Sequence, residues 1–202
     1  MDADTAFGVV LRAALDGAPD AGGVLAYHYL SGEPVVGLAD GRPVLTRADA
    51  DALTFGNLAR SLVYGVFGAL SIGMQVLLQG GVVIDTLIAH GGLFRTEGVA
   101  QRLLAAAFDV PVGVRAAASE GGAWGIALLA AYLDAAGDRS LVDFLERGVF
   151  ALADIAVVTP DPSDVRGYSQ FLQRYSAGLA VERTAVGVLD RAAAATERQV
   201  QA

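Results

Sequence analysis

The sequence predicts an α/β fold, a sheet with helices on its faces, and three observations carry that reading. The stretch from Val82 to Val114 reads as a strand ending in His90-Gly91-Gly92, a helix from about Thr96 to Phe108, and a second strand from Val110 to Val114. That is a strand-helix-strand unit. Strand-like and helix-like segments alternate along all 202 residues without an internal repeat or a low-complexity linker, so a single lobe spanning 1–202 is expected. Finally, 54% of the residues are hydrophobic and 25 are glycine, so helices can lie close on a sheet.

The elements follow in order. Asp4 to Leu15 places Phe7, Val10, Leu11 and Ala14 at helical spacing, and Asp16-Gly17-Ala18-Pro19 ends that helix. A strand is expected over Val24 to Leu30, followed by SGEPVVGLADGRP, whose glycines and prolines mark a loop with a defined path. A long helix runs from about Ala48 or Thr54 to Leu78, with Asp49 and Asp51 near its start, where the helix dipole favours carboxylates. Its Leu58, Leu62, Val66, Ala69, Leu70, Met74 and Leu77 fit a buried face, and the glycines opposite suggest a second packed face.

In the strand-helix-strand unit, Val99, Leu103, Leu104 and Ala107 form the inward stripe. Ser119 and Glu120 then read as the cap and first turn of a helix through GGAWGIALLAAYLDAAG. A short helix over Ser140 to Arg147, an extended or irregular GVFALADIAVVTP and a break at Pro160-Asp161-Pro162 come next. Residues 163–202 read as a C-terminal helical extension, with Val165, Tyr168, Phe171, Leu172 and Tyr175 on one stripe and a separate closing helix from about Val181.

Charge and composition exclude several classes. A net charge of −8 with no Lys/Arg run argues against nucleic acid as a partner. The absence of cysteine rules out disulfides and thiolate metal sites, and the acidic N-terminus does not read as a signal peptide. The uncharged run between Arg60 and Asp85 is long enough to span a bilayer. Its glycines, Ser71, Gln75 and Gln79 dilute it and no basic cluster flanks it, which favours a helix buried inside a protein over membrane insertion. Only 18% of residues are charged, against about 25% in soluble proteins, so part of the surface is expected to be covered.

The candidate site is the Gly91-Gly92 turn. Without a Cβ, either glycine lets a planar base or a phosphate lie on the main chain, while Arg95 and Thr96 could add a cation and a hydroxyl at a helix start. A tight connection needing positive φ explains the same residues. Neither His28 nor His90 has a histidine or cysteine near it at metal-ligand spacing, so no metal site is expected. Ser31 lacks a nucleophile-elbow context, and Glu33, Asp40 and Asp85 read as solvated carboxylates. Trp124, beside the bare first turn at Gly121 and Gly122, reads as a packing residue or a stacking platform.

Taken together, YLSGEP (Tyr29 to Pro34), the helix around Asn57-Leu58-Ala59-Arg60, IAHGGLFRTEGVAQRLLAAAFDVPV and EGGAWGIALLAAYL resemble, in order and spacing, the C-terminal domain of FGGY carbohydrate kinases. Xylulokinase-like and ribulokinase-like members are the nearest in pattern. The resemblance implies an actin-like ATPase, ribonuclease-H-like lobe with a mixed sheet flanked by helices. It also implies a Mg-ATP-dependent transfer of the γ-phosphoryl group to a sugar hydroxyl, a ketopentose such as xylulose or ribulose, in a cytoplasmic enzyme.

By the same resemblance Gly91 and Gly92 line the adenosine pocket. Thr96 stands where glycerol kinases carry a nucleotide-contacting asparagine, and Glu120 to Ala131 matches a small-residue helix beside the cleft. Arg95, Gly121 and Gly122 are further candidates for nucleotide contact. The family's catalytic aspartate, sugar-binding residues and phosphate loops match nothing in this sequence, so no catalytic residue is assigned. The chain reads as a C-terminal piece, an expressed domain or a split product, inactive by itself. The alternative expectation is a self-associating or scaffold domain, such as a homodimer, that keeps the fold without binding nucleotide.

Overall fold

A computed structural model describes residues 2–48, 52–115, 121–135, 137–151 and 155–200. Helix α1 spans Ala3–Ala13 and is capped by Asp2, whose carboxylate accepts from the Thr5 amide at 2.7 Å. Strand β1 (Leu25–Tyr27) pairs antiparallel with β2 (Val44–Thr46), with Ala26 opposite Leu45. β2 follows directly on the expected loop, in residues to which no element was assigned: three residues are too few to show alternation, and the pairing with β1 creates the strand.

Helix α2 (Phe55–Gln79) starts at its Thr54 cap and forms the centre of the core. Of the two faces expected to pack, it buries the one that carries the glycines and not the leucine stripe. Leu62, Val66, Leu70 and Leu77 are between 36% and 54% exposed, and Leu58, Ala69 and Met74 are half-buried. Ser61, Tyr64, Gly65, Gly68 and Ser71 are buried instead. The reason is close approach: a Cβ at Gly65 would strike the Ala26 carbonyl of β1, and one at Gly68 the ring of Tyr175. Small residues bring those partners in and Val63, Tyr64 and Phe67 pack beside them, while Leu62, Val66 and Leu70 are left outside. By length and composition α2 is the one described helix that could cross a membrane, yet its Arg60 is 2% exposed and paired within the fold.

Strand β3 (Leu87–Ala89), helix α3 (Val99–Phe108) and strand β4 (Val112–Arg115) form the expected unit, with β3 parallel to β4 and Leu87 opposite Val112. Val99, Leu103 and Leu104 are buried and Ala107 is packed against them. The helix begins at Val99 rather than Thr96. Gly91 turns at φ 111°, residues Gly92–Arg95 form a 3-10 turn and Gly98 turns again at φ 76°, so Arg95 and Thr96 lie ahead of α3 and not in its first turn.

Helix α4 spans Gly121–Ala135, while its expected cap at Ser119 and Glu120, like Asp49 and Asp51, lies outside the described residues. Helix α5 (Leu141–Asp143), capped by Ser140, runs into a π turn over Phe144–Val149. Strand β5 (Ile155–Val158) joins β4 antiparallel and makes the sheet mixed, in the order β3-β4-β5. Helix α6 is continuous from Pro162 to Val200, with no break near Val181. It starts where the Asp161 carboxylate accepts from the Ser163 and Asp164 amides.

Polar side chains lock these layers together. Asp164 of α6 accepts from Arg60 of α2 at 2.8 Å and from Arg102 of α3 at 2.7 Å, and Arg60 also donates to the Ala14 carbonyl at 2.8 Å. Buried Gln101 of α3 donates to the Val112 and Ala156 carbonyls of β4 and β5, both at 2.7 Å. The hydroxyl of Tyr27 donates to the Tyr175 carbonyl at 2.9 Å, and Ser71 and Tyr168 hydroxyls meet at 2.7 Å. His28 is placed by a 2.8 Å contact from its Nε2 to the Leu62 carbonyl.

Candidate functional site

The site forms at the carboxyl end of β3, which is where parallel strands of α/β proteins take ligands. Ala89 is buried and His90 is exposed, and the chain leaves the sheet at Gly91, with φ 111° and ψ 171°, a conformation for which glycine is suited. The Phe94 amide closes the turn on the Gly91 carbonyl at 3.0 Å. A Cβ built on Gly91 or Gly92 meets no atom within 4 Å. The turn is therefore bare because the space outside it is open, and among the described residues nothing fills that space.

Two clefts meet around His90. One, of about 420 Å³, runs from the turn along β3 and is walled by Val66, Leu70 and Met74 of α2 and by Phe94, Leu104 and Phe108. The other, of about 220 Å³, lies on the opposite face of the sheet, where His90, Arg115, Gly121, Trp124, Leu128 and Phe150 line it. There Trp124 stacks on Phe150, with centroids 6.0 Å apart and planes 20° apart, and the Arg115 guanidinium sits 3.8 Å over the Phe150 ring. A Cβ at Gly121 would crowd His90 Nδ1 at 2.7 Å, so glycine is needed for α4 to reach the strand end.

The expected site residues thus divide. Gly91, Gly92 and Gly121 gather around His90, and Gly122 opens outward with no atom within 4 Å of a Cβ. Arg95 and Thr96 turn away toward a third, polar cleft of about 580 Å³ with Thr5, Arg12 and Asp4 of α1, where Arg95 lies 3.6 Å from the Asp4 carboxylate. The Arg115 and Phe150 pair was not foreseen. Thirty-five positions separate the two, and neither belongs to a motif. Trp124 packs, as one of its two readings held, and does so beside the cleft.

Chemically, the arrangement can hold a flat, largely apolar group against a glycine turn. Among the described residues no group of three or more His, Cys, Asp or Glu side chains is placed to hold a metal ion. The described residues do not supply a ligand set for Mg²⁺.

The family model for the FGGY family of carbohydrate kinases, C-terminal domain, matches residues 2–133. No curated protein sequence matches the chain significantly. Among solved structures, gluconate kinase from Lactobacillus acidophilus is similar with a TM-score of 0.67 and 19% identity over 85% of this chain. Xylulose kinase from Rhodospirillum rubrum has a TM-score of 0.61 and 23% identity over 89%, and Plasmodium falciparum glycerol kinase with ADP a TM-score of 0.62 and 15% identity over 90%. In each case this chain spans 34% of the other, about a third of its length. These likenesses establish the mixed α/β lobe as the actin-like ATPase fold of those kinases. With the family model covering residues 2–133, the chain belongs to the FGGY family of carbohydrate kinases, in the part that forms their C-terminal domain.

Proposed function

We propose that the chain is the nucleotide-binding lobe of a sugar kinase and that it takes the adenosine side of ATP on the Gly91-Gly92 turn. The observation that carries this reading is the open turn at the carboxyl end of a parallel strand pair, with apolar clefts on both sides of it. Gly91 and Gly92 allow the base to lie on the main chain, and Gly121 keeps α4 close enough to wall the pocket. Trp124 and Arg115 border it with a ring and a cation. Arg95 and Thr96 would serve the nucleotide only from the neighbouring polar cleft.

ATP supplies the phosphoryl group, and this lobe's own part is to bind and orient it. The carboxylate that takes the proton from the sugar hydroxyl, the sugar contacts and the Mg²⁺ ligands belong in this proposal to a second lobe. The sugar proposed is a ketopentose such as xylulose or ribulose, and the enzyme is placed in the cytoplasm.

Calorimetric titration with ADP and a non-hydrolysable ATP analogue tests the site. Saturable heat is expected for the chain and loss of at least tenfold in affinity for Gly92→Val, whose side chain enters the space the base needs from a position where a Cβ meets no described atom within 4 Å. Equal affinity in both proteins would remove the turn from the site. The chain alone, given ATP and xylulose or ribulose, is expected to form no sugar phosphate, and measurable product would overturn the division of labour. A second reading, a self-associating domain without nucleotide, is favoured by Ile126 and Leu133, which are 70% and 85% exposed on α4. Absence of heat in both titrations supports it.

A further inference from the structure

A purine laid flat on the Gly91-Gly92 turn still has an edge of polar atoms, and these must find partners once water is displaced. The two clefts beside β3 are walled mainly by apolar side chains. The third cleft, of about 580 Å³ between α1 and residues 95–97, is polar. It is the place near the turn where such an edge can be read.

One wall of this cleft is a single stripe of α1. Asp4, Gly8 and Arg12 recur every four residues and so share a face of the helix. Gly8 is buried, and with no Cβ there the Arg12 guanidinium folds back over it. Its Nη1 lies 3.2 Å from where that Cβ would stand, with the Thr96 hydroxyl 3.8 Å from the same point. The fork thus reaches into the cleft rather than out to solvent, and among the described residues it makes no hydrogen bond or ion pair. Asp4, two turns and about 12 Å back along the axis, meets the Arg95 guanidinium at 3.6 Å, too far for a full hydrogen bond. Phe7, 45% exposed, gives the cleft an apolar side for a ring.

A guanidinium offers only donors and a carboxylate only acceptors. Guanine matches both, since O6 and N7 accept from the fork while N1–H and the 2-amino group donate to the carboxylate. Adenine mismatches both, because its 6-amino group would face the fork and its N1, an acceptor, the carboxylate. A site built to pair with one edge rejects the analogue that leaves its polar groups unpaired. We propose that Arg12 and Asp4 select a 6-oxopurine, Arg12 on O6 and N7 and Asp4 on N1–H and the 2-amino group, so that the lobe holds guanosine phosphates more tightly than adenosine phosphates. The inference rests on the nucleotide reading above and adds to it the identity of the preferred base.

Calorimetric titration of the chain with GDP, IDP and ADP tests the selection. GDP is expected to bind about tenfold tighter than ADP, the discrimination one bidentate pair provides. IDP keeps O6, N7 and N1–H but lacks the 2-amino group, and is expected between them. Arg12→Gln exchanges the fork for an amide that pairs with adenine N6 and N7, and is expected to bring the GDP-to-ADP affinity ratio to one or below. Asp4→Asn is expected to narrow the gap between GDP and IDP. Both positions are exposed, so circular dichroism of the variants is expected to match that of the parent chain. ADP binding as tightly as GDP, or a ratio indifferent to Arg12→Gln, would overturn the selection and leave the nucleotide reading standing. No heat with any of the three nucleotides would overturn the nucleotide reading and this inference with it.

Discussion

Replacing Asp164 by alanine is the most informative single test of how the lobe is held together. The Asp164 side chain is 3% exposed and accepts from Arg60, itself 2% exposed, and from Arg102, which is 42% exposed. Removing the carboxylate leaves the Arg60 guanidinium buried among the Ala14 and Leu15 carbonyls and the Tyr64 hydroxyl, with no anion to offset its charge. An uncompensated buried charge of this kind costs about 3–5 kcal/mol. Arg102→Ala removes the solvent-facing half of the same network and is expected to cost no more than about 1 kcal/mol, because water replaces much of what that arginine supplies. Asp164→Asn keeps one acceptor but not the charge and belongs between them. Urea unfolding followed by circular dichroism measures all three, provided the slopes agree with that of the parent chain. Equal costs for Asp164→Ala and Arg102→Ala, or a cost below about 1 kcal/mol for the former, would refute the assignment of Asp164 as the counter-charge of Arg60.

Packing and titration supply two more expectations. Gly68→Val drives a Cβ into the ring of Tyr175 and is expected to cost more than about 2 kcal/mol, whereas Gly92→Val, with open space at the Cβ, is expected to stay within about 0.5 kcal/mol. The same denaturation experiment separates them. Burial pushes the Tyr64 hydroxyl up to about 12, and burial likewise raises Tyr27, Tyr168 and Tyr175. The folded chain then retains protons that the unfolded chain releases above pH 10, so this stabilisation is complete below pH 10 and is lost as pH rises toward 12. Absorbance at the tyrosinate band is expected to show those four rings silent at pH 10.5, and a full tyrosine titration there would contradict their burial.

Local pattern carried the architecture a long way. The stripe Val99, Leu103, Leu104 specifies how α3 lies on the sheet, since only one face of that helix is continuous in apolar residues. Glycine at 91 marks a backbone that must leave the strand at positive φ, and it does so at 111°. Of the two starts expected for α2, Ala48 and Thr54, the helix takes Thr54, whose hydroxyl accepts from the Asn57 amide. Order and spacing of these same segments, more than any one motif, carried the family.

Tertiary structure decided the rest. On α2, leucines and glycines both recur at helical spacing, and hydrophobicity favoured the leucines. The fold chose the glycine face because β1 and α6 approach there more closely than a Cβ allows, a distance that residues 26 and 175 set and no local window contains. The helix start at Val99, β2, and the meeting of Arg115 with Phe150 are of the same kind. Each depends on partners distant in sequence. The sequence by itself thus marked most of the helices, the strands β3 and β4 and the glycine backbone that leaves β3, because those properties are local. Which faces pack and which candidates converge on His90 were decided only when the segments met.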